Sequence, residues 1–500
     1  MNKAKSRYKL IFISIFMCIL GSLFYHYEYY LRVVPGVIRP ELKLAYNISE
    51  AGFGFLVGLY YWAYVPLQLI VGLTMDVLGP RKALTIACFI SALGTYFFAG
   101  TDNLLIAQIG RFLVGFGAAF AYVGVLKLAN IWLPRRFFAL MAGFCSTLGM
   151  LGAIGGQIVL GKFVATVGWR STLYYSVFVG VVFSLILWIF IRDENKTTAS
   201  SPITNLQISA KLNILWLELQ EIMKLKDLWL NGAIGCLTFA GLSVFADTWA
   251  ISFLEAVGIE KDSATFSSSM VYVGFGIGGP IWGILSDFVA SRKIPLMLGS
   301  IISAVLISII LYIPMSIMWM NICLFLFGLF VSAEILVFAA INDLCHKEIS
   351  ATAVGFVNML IMVGGLYLQP KVGLILDYLS YPNELTKFKI ALIILPVGLI
   401  VSAILSMFLK NGIKHDLIEC DSVSQAIIKV QTEKPDIIFM DIMLPVINGA
   451  DYVESMKEDP QLNSTPVIFL TGIVEGSRKK QKRTRSSLAV STFSGWSKYL

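Results

Sequence analysis

Six ionisable side chains stand inside long apolar stretches of this chain: Glu28, Arg32, Arg111, Lys127, Asp247 and Glu334. A charge at the centre of a bilayer costs about 2.5–3.5 kcal/mol even on the lenient insertion scale, so such residues are paired, hydrated or functional. Glu28 and Arg32 are spaced i,i+4 and share one helix face, where they can pair with each other or serve a solute. Asp247 and Glu334 have no basic residue at helical spacing, which makes them the expected proton carriers, because an uncompensated buried carboxylate is costly. Arg32 and Lys127 are cations able to meet an anionic group. Tyr27, Tyr30, Tyr60, Tyr64, Gln68, Trp249, Asn358 and Gln369 add polar or aromatic surface to the same stretches, and each taken singly reads first as a packing or interface residue.

The elements that must position these groups are membrane helices. Of 500 residues, 57% are hydrophobic and 14% charged, with a mean hydropathy of +0.77; a soluble domain carries about 25% charged residues. A spanning helix needs about 20 predominantly apolar residues. Twelve stretches qualify: 10–32, 51–74, 83–100, 104–128, 138–161, 171–191, 230–254, 266–288, 294–314, 317–341, 352–377 and 388–409. The first follows Lys3, Lys5, Arg7 and Lys9 and is too long for a cleaved leader, so it reads as a retained helix.

Basic residues segregate. Arg81/Lys82, Arg135/Arg136, Arg192, Lys196, Lys211, Lys224, Lys226, Arg292/Lys293 and Lys347 fall on the same side as the N-terminal cluster, and the opposite side carries fewer. The positive-inside rule places the basic side, with both termini, in the cytoplasm of a bacterial inner membrane. The same loops account for the net charge of +8, and no nucleic-acid partner is expected. The seven cysteines have no ligand spacing and read as small buried hydrophobes, so no metal or other cofactor is implied. Gly274, Gly276, Gly278 and Gly279 mimic a dinucleotide loop, but they lie inside an apolar run and read as helix packing.

Residues 193–229 divide the runs six and six. This linker opens Thr/Ser/Pro-rich and continues with an amphipathic segment, Leu212 to Leu228. The two halves (1–192 and 230–410) share a loop. GLTMDVLGPRK follows the second run and GILSDFVASRK the eighth, so Gly72, Asp76, Arg81 and Lys82 match Gly283, Asp287, Arg292 and Lys293 at identical spacing. Such duplication suits transporters whose halves rock about a central site.

In this repeated Gly–x–x–x–Asp and basic pair, the chain resembles the major facilitator superfamily. Arg111 with Gly115, Gly117, Ala118 and Ala119 is similar to that family's arginine–glycine motif. The glycine-rich stretch from Gly143 to Gly161 resembles its fifth-helix motif without the usual glycine–proline pair. The resemblance implies an all-α fold of twelve helices in two halves, in which helices one, four, seven and ten line a cavity. All six buried charges fall on those four. It also implies that the repeated loops act as conformational gates, with close helix approach at their glycines and helix-end contacts at their aspartates. The expected function is secondary transport of a small polar organic solute by a monomer, driven by protons or another ion, since no nucleotide-hydrolysing loop is present. It is not expected to be an enzyme.

From residue 411 the composition changes. Residues 434–472 read as strand, acidic loop, helix and strand, and resemble the receiver domain of response regulators. The resemblance implies Asp441 as phosphoacceptor, Pro445 and Gly449 in its loop, and Thr471 as the switch hydroxyl. Receivers hold Mg²⁺ with an acidic pair on their first strand, yet no acid occurs between Leu385 and His415. The receiver-like segment (411–473) therefore reads as a truncated α/β domain, a fusion or frameshifted relic in which Asp441 is a poor phosphoacceptor. Residues 474–500, with the basic run Arg478 to Arg485, read as a disordered tail. A membrane sensor coupled to a phosphorelay is the alternative function.

Overall fold

The computed structural model describes residues 2–133, 137–193, 208–345, 349–410, 416–420, 423–433, 435, 437–441, 466–470 and 488–492. It divides into two compact units, Met1–Gly412 and Ile413–Leu500.

The first unit is helical throughout, and a helix stands at each of the twelve expected places. Helix one is Asn2–Val37, and helix two is the broken pair Glu50–Leu67 and Val71–Leu78, bent by 66°. Helices three to six are Pro80–Ala99, Leu104–Trp132, Phe138–Val167 and Trp169–Phe190. Helix seven is composite: Lys226–Ala240, a π-helical segment Gly241–Trp249, and Ala250–Val257. Helices eight and nine are Lys261–Phe288 and Lys293–Tyr312. Helix ten contains a 3₁₀ segment, Ser332–Ile335, between Ile317–Val331 and Leu336–Leu344. Helix eleven is Ser350–Tyr378, and helix twelve joins Glu384–Ala391 to Ile394–Ser406. A short helix, Arg39–Tyr46, follows helix one, and the amphipathic linker segment is the helix Ile208–Lys224.

Local sequence sets the ends. Ser49 caps helix two by accepting from the Gly52 amide, and Asn103 caps helix four by accepting from Leu105 and Ile106. Helix one packs on four and five, and three on four and six. Helix eight packs on ten, nine on twelve, and seven on eleven. The halves meet along helices two and eleven, five and eight, and one and seven. Large apolar side chains such as Phe178, Leu185, Ile284 and Phe408 point outward, as lipid requires.

The second unit holds β1 (Asp416–Cys420), a helix (Val423–Glu433), β2 (Ile437–Asp441), β3 (Val467–Leu470) and β4 (Leu488–Thr492) in one sheet of order β1-β4-β2-β3. β2 and β3 run parallel, and β4 is antiparallel to both of its neighbours. The expectation that 474–500 is wholly disordered is therefore corrected at Leu488–Thr492. Its apolar and β-branched residues fill the place between β1 and β2. In the 2-1-3-4-5 order of this kind of sheet, that place belongs to the first strand. Asp441 ends β2, as expected. Pro445, Gly449, Thr471 and the run Arg478 to Arg485 lie outside the described residues, as do Arg135, Arg136 and Lys347.

Candidate functional site

Helix one brings the first charge to the interface between the halves. Pro35 has no N–H, so the carbonyl of Leu31, four residues earlier, loses its helical donor. Arg111 of helix four supplies the replacement. Its Nη1 donates to Leu31 O at 3.0 Å and its Nη2 to Arg32 O at 2.9 Å. Its guanidinium also lies 5.0 Å from the Tyr60 ring. Gly115, one turn on from Arg111, permits this approach, since a Cβ there would lie 2.0 Å from Tyr60 O. Arg111 thus clamps the backbone of helix one.

Arg32 itself reaches across to helix seven. Its Nε donates to Asp247 Oδ2 at 2.8 Å and its Nη2 to Tyr61 Oη at 2.7 Å. The rings of Tyr29, Tyr60, Tyr61 and Phe239 surround the guanidinium carbon at 4.9–5.8 Å. Tyr272 Oη of helix eight donates to Asp247 Oδ1 at 2.8 Å, and Tyr61 Oη lies 3.4 Å from Oδ2. Gly36, one turn beyond Arg32, allows the helices to touch, because a Cβ there would sit 2.6 Å from Asp247 O. The local pair Glu28–Arg32, one of the two readings of their spacing, is not formed. Arg32 takes its counter-charge from the other half.

Asp247 lies in the π-helical segment, where the wider turn misaligns backbone acceptors. Two amide side chains serve them: Gln369 Nε2 donates to Ser243 O at 2.6 Å, and Gln157 Nε2 donates to Ala246 O at 2.9 Å. Gln157 comes from helix five, so it is a second polar tie between the halves. Asp247 has no basic residue at helical spacing, and its basic partner, Arg32, stands 215 positions away in sequence.

The other two acids have different company. Both carboxylate oxygens of Glu28 are buried without a hydrogen-bond partner among the described residues, and Ser91 and Arg111 lie near enough to act on its charge. Glu334 sits in the 3₁₀ segment of helix ten with no ion pair or hydrogen bond among the described residues, and Tyr122 of helix four is near it. Glu28, Arg32, Arg111, Asp247 and Glu334 are 1%, 4%, 2%, 2% and 4% exposed. Lys127 departs from this group. It lies at the basic end of helix four, about a third exposed, and pairs with Asp76.

The repeated loops are bolted within their own halves. Asp76 binds Lys127 of helix four. The Arg81 amide and Nε reach Asp193 Oδ1 (3.0 Å) and Trp188 O (2.7 Å), with the guanidinium 4.3 Å over the Trp188 ring. In the second copy Arg292 binds Asp287 (2.8 Å) and Asp343 of helix ten (2.9 Å). Burial opposes the charge of Arg292, but the hydrogen bonds to Asp343 and Asp287 outweigh it and hold its pKa above the ordinary value. Lys82 and Lys293 form no ion pair among the described residues. Close approach at the motif glycines is not found: a Cβ at Gly72 or Gly283 would meet nothing within 4 Å. Asn358 and Gln68 join helices eleven and two at 2.8 Å. At the opposite end the halves are tied by Lys261–Glu41 (2.9 Å) and by Asp377, which accepts from the amides of Glu50 and Ala51 at 3.0 and 2.7 Å.

Tyr61, Tyr272 and Gln157 were not singled out by sequence. The signal available was weak: a polar side chain at mid-helix inside an otherwise apolar or small-residue run.

A family model described as Major Facilitator Superfamily matches residues 11–369, and one described as response regulator receiver domain matches residues 399–485. A probable galactarate/D-glucarate transporter of Escherichia coli K12 is 22% identical over 418 residues, covering 77% of this chain and 90% of that protein. A probable sulfoacetate transporter of Cupriavidus necator is 25% identical over 289 residues, 55% of this chain and 65% of that one. Among solved structures, a bacterial homologue of the human lysosomal transporter Spinster, crystallised inward-facing and unoccupied, superposes with a TM-score of 0.62 at 15% identity. The match covers 79% of this chain and 95% of that chain. The fold, the repeated loops and a model spanning more than two thirds of the sequence agree: this multi-pass membrane chain belongs to the Major Facilitator Superfamily.

Proposed function

We propose that the protein is a secondary transporter that carries a small organic anion across the cytoplasmic membrane of a bacterium, by alternating access of its two halves and coupled to protons. The observation that carries this reading is Arg32, a guanidinium enclosed by four aromatic rings at the interface of the halves. A guanidinium fork matches a carboxylate or sulfonate in shape and charge. The relatives point the same way, since galactarate, glucarate and sulfoacetate are all organic anions. Glu28, Asp247 and Glu334, acids buried within the membrane unit, are the candidates to carry coupling protons. The basic loops support a topology with both termini in the cytoplasm.

The test is uptake of D-glucarate and of sulfoacetate into proteoliposomes under an imposed proton gradient. The expected result is accumulation that a protonophore abolishes and that Arg32→Gln removes. Accumulation that survives both treatments would refute the reading.

The receiver match supports a second reading, in which the C-terminal unit reports on the state of the membrane unit. β4 brings no acidic residue beside Asp441, so Asp441 is expected to accept phosphate poorly. Transport that persists after removal of residues 411–500 would make the unit accessory.

A further inference from the structure

We infer that Asp247 is an internal stand-in for the solute's own carboxylate: it holds Arg32 until an anion arrives, yields that place to it, and takes up a proton as it leaves. The inference rests on the reading of Arg32 as the anion site.

Three features of the site support it. First, Asp247 is the only anion on Arg32 among the described residues, and the surrounding rings leave little room for a second one beside it. Among the described residues, Nε and Nη2 have hydrogen-bond acceptors and Nη1 has none. It offers a foothold from which a carboxylate can take over the fork. Second, Asp247 has a way to move. It lies in a π-helical segment, and passing the extra residue of such a segment along the helix turns a side chain by about 100°. Gln157 and Gln369 keep hold of carbonyls on the same segment, so the backbone has donors while it shifts. Third, the neighbours suit both protonation states. The hydroxyls of Tyr61 and Tyr272 donate to a carboxylate and accept from a carboxylic acid. The groups facing Asp247 are Tyr29 and Arg32 from helix one, Tyr61 from helix two, Tyr272 from helix eight and, farther off, Arg111 from helix four. None is an acid that would compete for the proton.

The charges balance. Before the exchange the site holds one cation, Arg32, and one anion, Asp247. After the exchange the guanidinium pairs with the solute carboxylate, and Asp247 carries a proton drawn from water on the open side. One anionic group and one proton have entered, and the net charge is unchanged. The exchange also breaks the direct ion pair between helices one and seven, so the arrival of the anion frees the halves to move.

The experiment uses the full-length purified chain. In the first arm, Asp247→Ala is titrated with acetate. A concentration-dependent rise in melting temperature is expected there, with none in the native protein and none in Asp247→Ala combined with Arg32→Gln. A folded Asp247→Ala protein that ignores acetate would overturn the exchange. In the second arm, D-glucarate and sulfoacetate are bound across a pH series to the native protein and to Asp247→Asn. Each linked proton weakens native binding by about tenfold per pH unit on the alkaline limb, and Asp247→Asn should lose one proton's share of this slope. An Asp247→Asn protein that keeps the native slope would sink the exchange and leave Arg32 as the anion site. If neither anion binds the native protein, or if Arg32→Gln still binds both, the anion reading itself falls.

Discussion

Asp247 and Glu334 are both acids of the second half and are withdrawn from solvent to nearly the same degree, yet their surroundings are opposite. Asp247 meets a guanidinium and two phenols drawn from helices one, two and eight. Glu334 meets none of these. Burial alone therefore does not define what a membrane acid does. A paired acid is a tether, and breaking the pair leaves a charge stranded. An unpaired acid has no tether to lose, and its cost is lowest when it carries a proton or faces water. Glu28 in the first half belongs with Glu334, although its sequence spacing suggested a pairing with Arg32.

The contrast breaks most visibly at Asp247. Asp247→Ala should destabilise the protein by about 3–5 kcal/mol, because Arg32 is left buried without a counter-ion. The double variant Arg32→Met/Asp247→Leu should recover most of that loss, since it removes both charges. Thermal unfolding in detergent measures both. A single variant that melts with the native protein would show that the tether holds nothing.

The same measurement on the unpaired acids should give the reverse result. Glu28→Gln and Glu334→Gln remove no ion pair, so stability should change by no more than about 1 kcal/mol. Their effect should fall on proton-driven accumulation, which is expected to drop while counterflow exchange continues. A loss of stability as large as that of Asp247→Ala would expose a partner for either acid and erase the distinction.

Much of this was legible in the sequence, and the limits have physical causes. The twelve apolar runs, the matched loops and the Arg111–Gly115 pair are local patterns, and each stands where its spacing implied. The Arg32–Asp247 pair is not local, and no periodicity links residues in separate halves. The apolar run around Lys127 groups it with the cavity charges, but helix four continues to Trp132 and carries the lysine to its basic end. The π-helical segment has no composition that separates it from an ordinary helix. β4 was missed because five residues after a basic run carry too little pattern to indicate a strand, and its place in the sheet depends on strands far from it in sequence.

The smallest expected effects lie at the repeated loops, where the contrast between paired charges can be graded by exposure. Lys127 and Asp76 are about one third and one half exposed, and their pair faces solvent at the basic end. Arg292 is mostly covered and binds two carboxylates, of which Asp343 is itself largely shielded. Exposed pairs contribute about 0–1 kcal/mol and are screened by salt, whereas hydrogen bonds to charged groups with less water around them contribute about 1.5–3 kcal/mol. Lys127→Gln should therefore change stability by less than Arg292→Gln, and its effect should fade first as salt is raised. The sign of the pH dependence follows from the raised pKa of Arg292. A base whose folded pKa exceeds its unfolded value contributes fully below the unfolded value and loses that contribution as pH rises through the folded one. For an arginine that window lies above pH 12, so Arg292 itself adds no pH dependence near neutrality. Equal losses for the two variants, or an Arg292 contribution that fades near neutral pH, would mean that exposure does not rank these pairs.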